Sequence, residues 1–283
     1  ANVLGYVAEV NRSNLERDNY YSQGDIIGKQ GVELSYEKYL RGEKGIKFIQ
    51  KDRFNRDIGS YNNGLNDKNS IAGKDLIITI DSELQEYGEL LMSNKKGAIV
   101  AIEPSTGELL SLVSAPSYNP NLLVGRERSK NYFELYKDSI YKPLIDKGLL
   151  STFPAGSPFK VIVGLIALQE NVINDKNTIL CGGEYIYGRN KKSMKCHCGG
   201  GYRNIYNAIS ESCNSYFADA YRKTISKDNN ISKNFDMWSE GVKSFGLGNY
   251  LNNDLPIGKK GMIPTSEFYD RWYPDFRWGP TTN

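Results

Sequence analysis

Phe153-Pro154-Ala155-Gly156-Ser157-Pro158-Phe159-Lys160 runs directly into Val161-Ile162-Val163-Gly164-Leu165-Ile166-Ala167-Leu168, the longest apolar run of the chain. A proline suits a first helical turn, where its missing N–H costs nothing. Pro158 therefore predicts a helix start, with the apolar run as a buried helix behind it. Ser157 then sits at the helix N-terminus, where free backbone N–H groups and the positive dipole end favour a developing negative charge. Lys160 lies one turn on and shares a face with Ser157. Burial against the apolar helix would lower the lysine's pKa and let it accept the Ser157 proton. Ser-x-x-Lys also occurs at Ser35/Lys38, Ser93/Lys96 and Ser139/Lys142, so the spacing alone says little. The Pro-Ala-Gly approach and the apolar helix set Ser157 apart. The plainer reading is a capping serine beside a solvated lysine.

Composition narrows the chemistry. The 283 residues carry 36 Lys+Arg, 33 Asp+Glu and a single histidine. A net charge of +3 argues against a nucleic-acid partner held by a basic face. The eight-residue apolar run is far below the roughly 18 residues a membrane span needs. Any histidine-based nucleophile scheme would have to run through His197, which lies between two cysteines. A base other than histidine is therefore favoured.

Upstream, residues 1–73 are polar. Val32, Tyr36, Tyr39 and Leu40 recur at helical spacing before Gly42, a C-terminal stop, and Ser60–Asp67 has loop chemistry. From Asp75 the texture changes. Leu76-Ile77-Ile78-Thr79-Ile80 reads as a buried strand, and Ser82-Glu83-Leu84-Gln85 as a capping box opening a helix with Leu84, Tyr87, Leu90 and Leu91 on one face. Residues 98–102 and 109–113 flank Pro104-Ser105-Thr106-Gly107 and predict a hairpin. The order of strand, helix, hairpin and further helices indicates an α+β fold, with a boundary between 1–73 and 74–283.

Two more groups carry chemistry. Ser212 and Asn214, in Ser212-Cys213-Asn214, place a hydroxyl and a carboxamide two residues apart, able to shuttle a proton and hold a substrate amide. All four cysteines, Cys181, Cys196, Cys198 and Cys213, fall in one region with His197 among them. Fourteen residues separate Cys181 from Cys196, and fourteen separate Cys198 from Cys213. Four of these five side chains would suit tetrahedral, structural Zn2+. Disulfides, such as Cys181 with Cys196 or Cys198, and buried free thiols are the alternatives.

Taken in order, these segments resemble the elongation-type class B penicillin-binding proteins, the penicillin-binding protein 2 group. The carriers are Gly31-Val32-Glu33, Tyr39-Leu40-Arg41-Gly42, Ile78-Thr79-Ile80-Asp81, Ala101-Ile102-Glu103-Pro104 and Thr106-Gly107-Glu108. Ala115 to Asn121, Pro154 to Lys160 and Ser212-Cys213-Asn214 complete them. The resemblance implies a penicillin-binding-protein/serine β-lactamase-like transpeptidase domain over 74–283, preceded by part of a pedestal or dimerisation-type domain over 1–73. It implies a D,D-transpeptidase acting through an acyl-serine on D-Ala-D-Ala stem peptides of peptidoglycan, acylated by β-lactam antibiotics, with no cofactor needed for acyl transfer. Ser157 matches the nucleophile, Lys160 its proton acceptor, and Ser212 and Asn214 the second motif. Some relatives hold a metal in this region, with a ligand where Cys213 stands. A shape-determining glycosyltransferase and other membrane proteins of the elongation machinery are the implied partners. The implied location is the periplasmic face of the cytoplasmic membrane, reached by an N-terminal anchor outside these residues.

The family's third motif, Lys-Ser/Thr-Gly, is absent. Lys95-Lys96-Gly97 and Lys259-Lys260-Gly261 lack the hydroxyl. The expectation is an internal portion of a longer protein, inactive alone, whose sequence stops at 277–283 where the family would continue. The alternatives are a non-catalytic scaffold in the elongation machinery and a serine β-lactamase-type protein, the latter lacking an assignable deacylating glutamate.

Overall fold

The computed structural model describes all residues except 189, 252, 275–277 and 281–283, so the 277–283 end falls largely outside the described residues. The chain forms two compact units, Ala1–Ser151 with Asn252–Lys259, and Thr152–Leu251 with Lys260–Asn283. The expected division at 73/74 follows composition, whereas packing divides the chain after Ser151. Aromatic contacts are among those that join the early and late parts of the first unit: Tyr6 meets Tyr118 edge-on at 6.5 Å between ring centroids.

The first unit opens with β1 (Val7–Glu9), α1 (Arg12–Arg17) and β2 (Ile26–Gly28), β1 and β2 pairing antiparallel. The helix expected through Val32 to Leu40 is broken at Tyr36 into α2 (Gly31–Ser35) and α3 (Glu37–Leu40). Tyr36 leaves helical geometry at φ −108°, ψ 15°, and Gly42 follows α3 at φ +67° as the anticipated stop. An exposed hairpin, β3 (Ile49–Lys51) and β4 (Asp57–Ser60), precedes a 3-10 turn in the expected loop. Next come α4 (Ser82–Leu91), the antiparallel β5 (Gly97–Ile102) and β6 (Leu109–Ala115), α5 (Arg128–Lys137) and α6 (Lys147–Leu150). The hairpin appears where the Pro/Gly turn placed it.

Two expectations in this unit need correction. Residues 76–80 form no strand and enter no ladder, with Leu76, Ile78 and Ile80 half-buried and Ile77 and Thr79 exposed. Their bonds to β6 run only at its start, Thr79 Oγ1 to the Leu109 carbonyl at 2.7 Å and the Asp81 N–H to the Leu110 carbonyl at 2.9 Å. The apolar side chains instead line a cavity of about 320 Å³ with Val3, Tyr36 and Leu109. Second, Asp81 rather than Ser82 caps α4, its carboxylate accepting from the Leu84 N–H at 2.9 Å. A carboxylate at a helix N-terminus also gains from the dipole. Gln85 turns away from the cap, its carboxamide oxygen accepting from the Leu112 N–H at 2.9 Å.

The second unit starts with α7 (Phe159–Gln169), then β7 (Ile179–Cys181), β8 (Glu184–Tyr187), β9 (Lys192–Lys195) and β10 (Gly201–Arg203). Helices α8 (Ile205–Ser210), α9 (Asn214–Ile225), α10 (Ile231–Ser244) and α11 (Ser266–Trp272) follow. β7 pairs with β10 and β8 with β9, both antiparallel. Val163, Ile166 and Ala167 bury one face of α7. Gly164 sets how closely α9 lies, because a Cβ there would stand 3.2 Å from Cε1 of Phe217. Two cores result. One joins α7, α8 and α9 to the cysteines. The other surrounds fully buried Phe235, whose ring stacks on Trp238 at 5.7 Å and meets Trp278 edge-on at 5.3 Å.

Candidate active site

The site lies within the second unit, where α7 and the α8–α9 connection converge. Helix α7 begins at Phe159 with Pro158 as its N-cap, one residue later than Pro158 in the first turn would give. The Lys160 N–H donates to the Ser157 carbonyl at 3.0 Å, so Ser157 still occupies the turn that opens the helix. Ser157 is exposed, so its hydroxyl is accessible from solvent.

The α8–α9 turn is tight and strained. Glu211 C-caps α8 and Cys213 N-caps α9, leaving Ser212 as the single residue between them at φ +54°. A left-handed conformation costs a side-chain-bearing residue roughly 1–2 kcal/mol. The surroundings hold it there: the Ser212 N–H donates to the Ile209 carbonyl at 3.1 Å and the Cys213 N–H to the Ala208 carbonyl at 2.8 Å. Backbone strain of this kind gathers where function over-determines a conformation.

That geometry assembles a relay. The Lys160 ammonium donates to the Ser212 carbonyl at 2.7 Å and to the Ser212 hydroxyl at 2.8 Å. The Ser212 hydroxyl donates to the Ser157 hydroxyl at 2.9 Å. The sequence reading had Lys160 receive the Ser157 proton itself, whereas in the structure the bonds of Nζ go to Ser212, which links the other two side chains. Burial holds the Lys160 ammonium below the usual lysine range, and the charges of Cys196, Cys213 and Cys198 pull the other way. Asn214 opens α9, and its Nδ2 donates to the Lys195 carbonyl at 2.7 Å, which fixes the carboxamide's orientation. Beside Lys160 and Asn214 is a cavity of about 310 Å³ walled by Phe159, Phe217, Tyr221 and Trp238, with no carboxylate in its lining.

The four cysteines come together from separate elements: Cys181 ends β7, Cys196 and Cys198 precede β10, and Cys213 caps α9. Their sulfurs lie within 4.8 Å of one another. The separations are 3.2 Å for Cys196–Cys198, 3.4 Å for Cys198–Cys181 and 3.6 Å for Cys196–Cys213. Tetrahedral zinc with bonds near 2.3 Å sets sulfurs about 3.8 Å apart, so this donor set fits a metal ion. No disulfide joins them in this structure. His197 is exposed and lies outside the sulfur group, so the four that converge of the five candidates are the cysteines. The cluster touches the relay directly: the Asn214 N–H donates to the Cys196 sulfur at 3.1 Å. At Cys196 burial works to raise the pKa, but hydrogen bonds from Ser215, Cys198 and Cys213 prevail and bring it to about 5. Burial pushes the Cys198 and Cys213 thiols up.

Sequence reasoning missed Arg203. Its guanidinium donates to the Cys198 carbonyl at 2.5 Å and pairs with Glu211 at 2.8 Å. A solitary arginine in a turn-rich stretch carries no pattern that could have flagged it.

Comparison with known proteins identifies the domains that carry this geometry. Residues 97–279 match the penicillin-binding protein transpeptidase domain, and residues 1–78 the penicillin-binding protein dimerisation domain. The chain is 32% identical to peptidoglycan D,D-transpeptidase MrdA of Escherichia coli K12 over 284 residues, covering 96% of this chain and 43% of that protein. It is also 32% identical to the Haemophilus influenzae MrdA, covering 96% of this chain and 41% of that protein. The chain thus spans less than half the length of these curated relatives. The Pseudomonas aeruginosa PBP2 structure superposes with a TM-score of 0.77 at 31% identity, over 99% of this chain and 56% of that one. The Helicobacter pylori PBP2, solved in complex with MreC, gives a TM-score of 0.79 at 28% identity, over 99% of this chain and 49% of that one.

Proposed function

The chain belongs to the penicillin-binding protein transpeptidase family, and from that premise we propose that it is the acylating portion of an elongation-type peptidoglycan D,D-transpeptidase. The hydrogen-bonded series Lys160–Ser212–Ser157 carries the reading. Ser157 Oγ attacks the carbonyl of the penultimate D-alanine of a stem peptide. With Lys160 neutral, both hydrogen bonds reverse their donors: the Ser157 proton passes to Ser212 Oγ, which gives its own to Lys160, a base made available by burial. Collapse of the tetrahedral intermediate expels D-alanine, protonated by the same path in reverse, and leaves an acyl-serine. An acceptor amine then takes the acyl group and forms the cross-link. A β-lactam follows the first half and stops there. With Nδ2 committed to Lys195, the Asn214 oxygen is the group offered to a substrate N–H.

Residues 1–73 are read as part of the pedestal domain. The complex of the Helicobacter pylori relative with MreC supports a place among membrane-bound elongation proteins on the extracytoplasmic side. No described helix is long and apolar enough to cross a membrane.

The cysteine cluster is read as a structural Zn2+ site held by Cys181, Cys196, Cys198 and Cys213. With four protein thiolates it has no open position, and the ion's part is to fix the loop against the α8–α9 turn.

The test is intact-mass analysis of the full-length protein with a penicillin, since this chain contains no Lys-Ser/Thr-Gly string. One adduct is expected, lost in Ser157→Ala. An adduct persisting in that variant would remove Ser157 from the chemistry.

A further inference from the structure

Ser212 can serve the relay only while its turn stays left-handed, and a strained turn must be held from both sides. The exit side is fixed twice, by Cys213 in the sulfur cluster and by the Asn214 N–H on Cys196. The entry side is Glu211, a half-exposed residue whose main-chain N–H caps α8. One side chain reaches it from the cysteine-bearing loop. Arg203 ends β10, whose pairing with β7 sets Gly201 opposite Cys181. Its side chain is only 13% exposed. Nη2 holds both the Cys198 carbonyl at 2.5 Å and the Glu211 carboxylate at 2.8 Å, and Nη1 donates to the Tyr202 carbonyl at 3.0 Å. Nε is buried without an acceptor, so the guanidinium is kept in place by its two Nη groups.

We propose that Arg203 is a positioning residue for acylation, a strut that ties the loop carrying Cys196 and Cys198 to Glu211 and so sets the Ser212 hydroxyl between Lys160 and Ser157. The proposal rests on the acyl-transfer reading of those three residues. A planar, permanently charged fork can hold a carbonyl and a carboxylate at fixed separation, which a lysine's single ammonium cannot reproduce. The same contact supports the backbone that presents Cys198 to a metal ion. Partners of this kind, one step removed from ligands, typically change affinity or activity 10–100-fold when lost. The strut thus acts on the sulfur cluster and the hydroxyl relay through one side chain.

The experiment uses zinc-loaded full-length protein and three variants, Arg203→Met, Arg203→Lys and Glu211→Ala. Three quantities are measured: the second-order rate of acylation by a fluorescent penicillin, zinc release to a chromophoric chelator, and amide exchange in peptides from 209–216 and from α10. Arg203→Met should slow acylation and speed zinc release, each by about tenfold or more. Its exchange should rise in 209–216 and stay unchanged in α10. Arg203→Lys should fall between Arg203→Met and the parent. Glu211→Ala should slow acylation and raise exchange in 209–216 while zinc release stays at the parent rate, because the Cys198 contact remains. Acylation within twofold of the parent in Arg203→Met overturns the proposal. So does exchange that rises equally in 209–216 and α10, since that describes general loosening rather than positioning. A parent protein that is never acylated refutes the acyl-transfer reading instead, and the exchange comparison then decides alone whether Arg203 holds the turn.

Discussion

Replacing Lys160 by arginine separates charge from proton transfer. The native ammonium makes two short hydrogen bonds, 2.7 Å to the Ser212 carbonyl and 2.8 Å to its hydroxyl. Hydrogen bonds from a charged group contribute about 1.5–3 kcal/mol each. Lys160→Met loses both and should cost the second unit about 3–6 kcal/mol. Arginine can keep at least one of them, so Lys160→Arg should retain most of that stability. Acylation should respond differently. A positioned general base contributes roughly 10²–10⁴-fold, which is about 2.7–5.5 kcal/mol of barrier at 1.36 kcal/mol per tenfold. Arginine is never deprotonated in this range and cannot take the proton. Both variants should therefore lose acylation alike, by two to four powers of ten, while only Lys160→Met loses stability. The acylating form is neutral Lys160, whose pKa burial lowers, so the parent rate should rise with pH through that lowered value and then level off. Both variants should lack that step. The assay is a stopped-time intact-mass series with penicillin across pH, alongside thermal melts. Arg-variant acylation within threefold of the parent, with the pH step preserved, would make Lys160 a structural residue and refute the relay.

Three further outcomes are expected. Protein purified without chelator should carry close to one equivalent of zinc by elemental analysis, and its removal should lower Tm by on the order of 10 °C. Loading should weaken as pH falls, because the ligands bind as thiolates: burial raises the Cys198 and Cys213 thiols, so they reprotonate first, and Cys196 holds its charge down to about pH 5. Phe235→Ala should cost about 3–5 kcal/mol by denaturant melts, since the ring is fully buried against Trp238, Tyr269 and Trp278. Asn214→Ala should slow acylation about tenfold, the value of one hydrogen bond, while the mass adduct remains on Ser157.

The residues of the proposed relay could be singled out in the sequence because their surroundings are locally distinctive. Pro158 and the apolar run behind Lys160 define the helix, and Ser212 and Asn214 sit between two short amphipathic stretches. What sequence could not supply was the order of contact. That Ser212 stands between Lys160 and Ser157 depends on its φ of +54°, a value no propensity assigns to serine. The sulfur cluster was half legible, since spacing grouped the cysteines with His197 and only the β7–β10 pairing selects Cys181 over the histidine. Residues 76–80 misled for a related reason. An apolar extended run meets every local requirement of a strand, and pairing is a property of its neighbours. Ser82 lost the cap to Asp81 because both are good caps in adjacent positions, and the register of the preceding segment on Leu110 decided between them.

The left-handed backbone at Ser212 has a consequence for anyone engineering this protein. Glycine is the residue that conformation favours, so a redesign guided by backbone compatibility would place Ser212→Gly near the top of its substitutions. That change would also delete the hydroxyl that, among the described residues, joins Lys160 to Ser157. Thermal screening and catalytic screening would rank the same variant at opposite ends. A library sorted on melting temperature alone would therefore enrich folded proteins that a penicillin no longer labels.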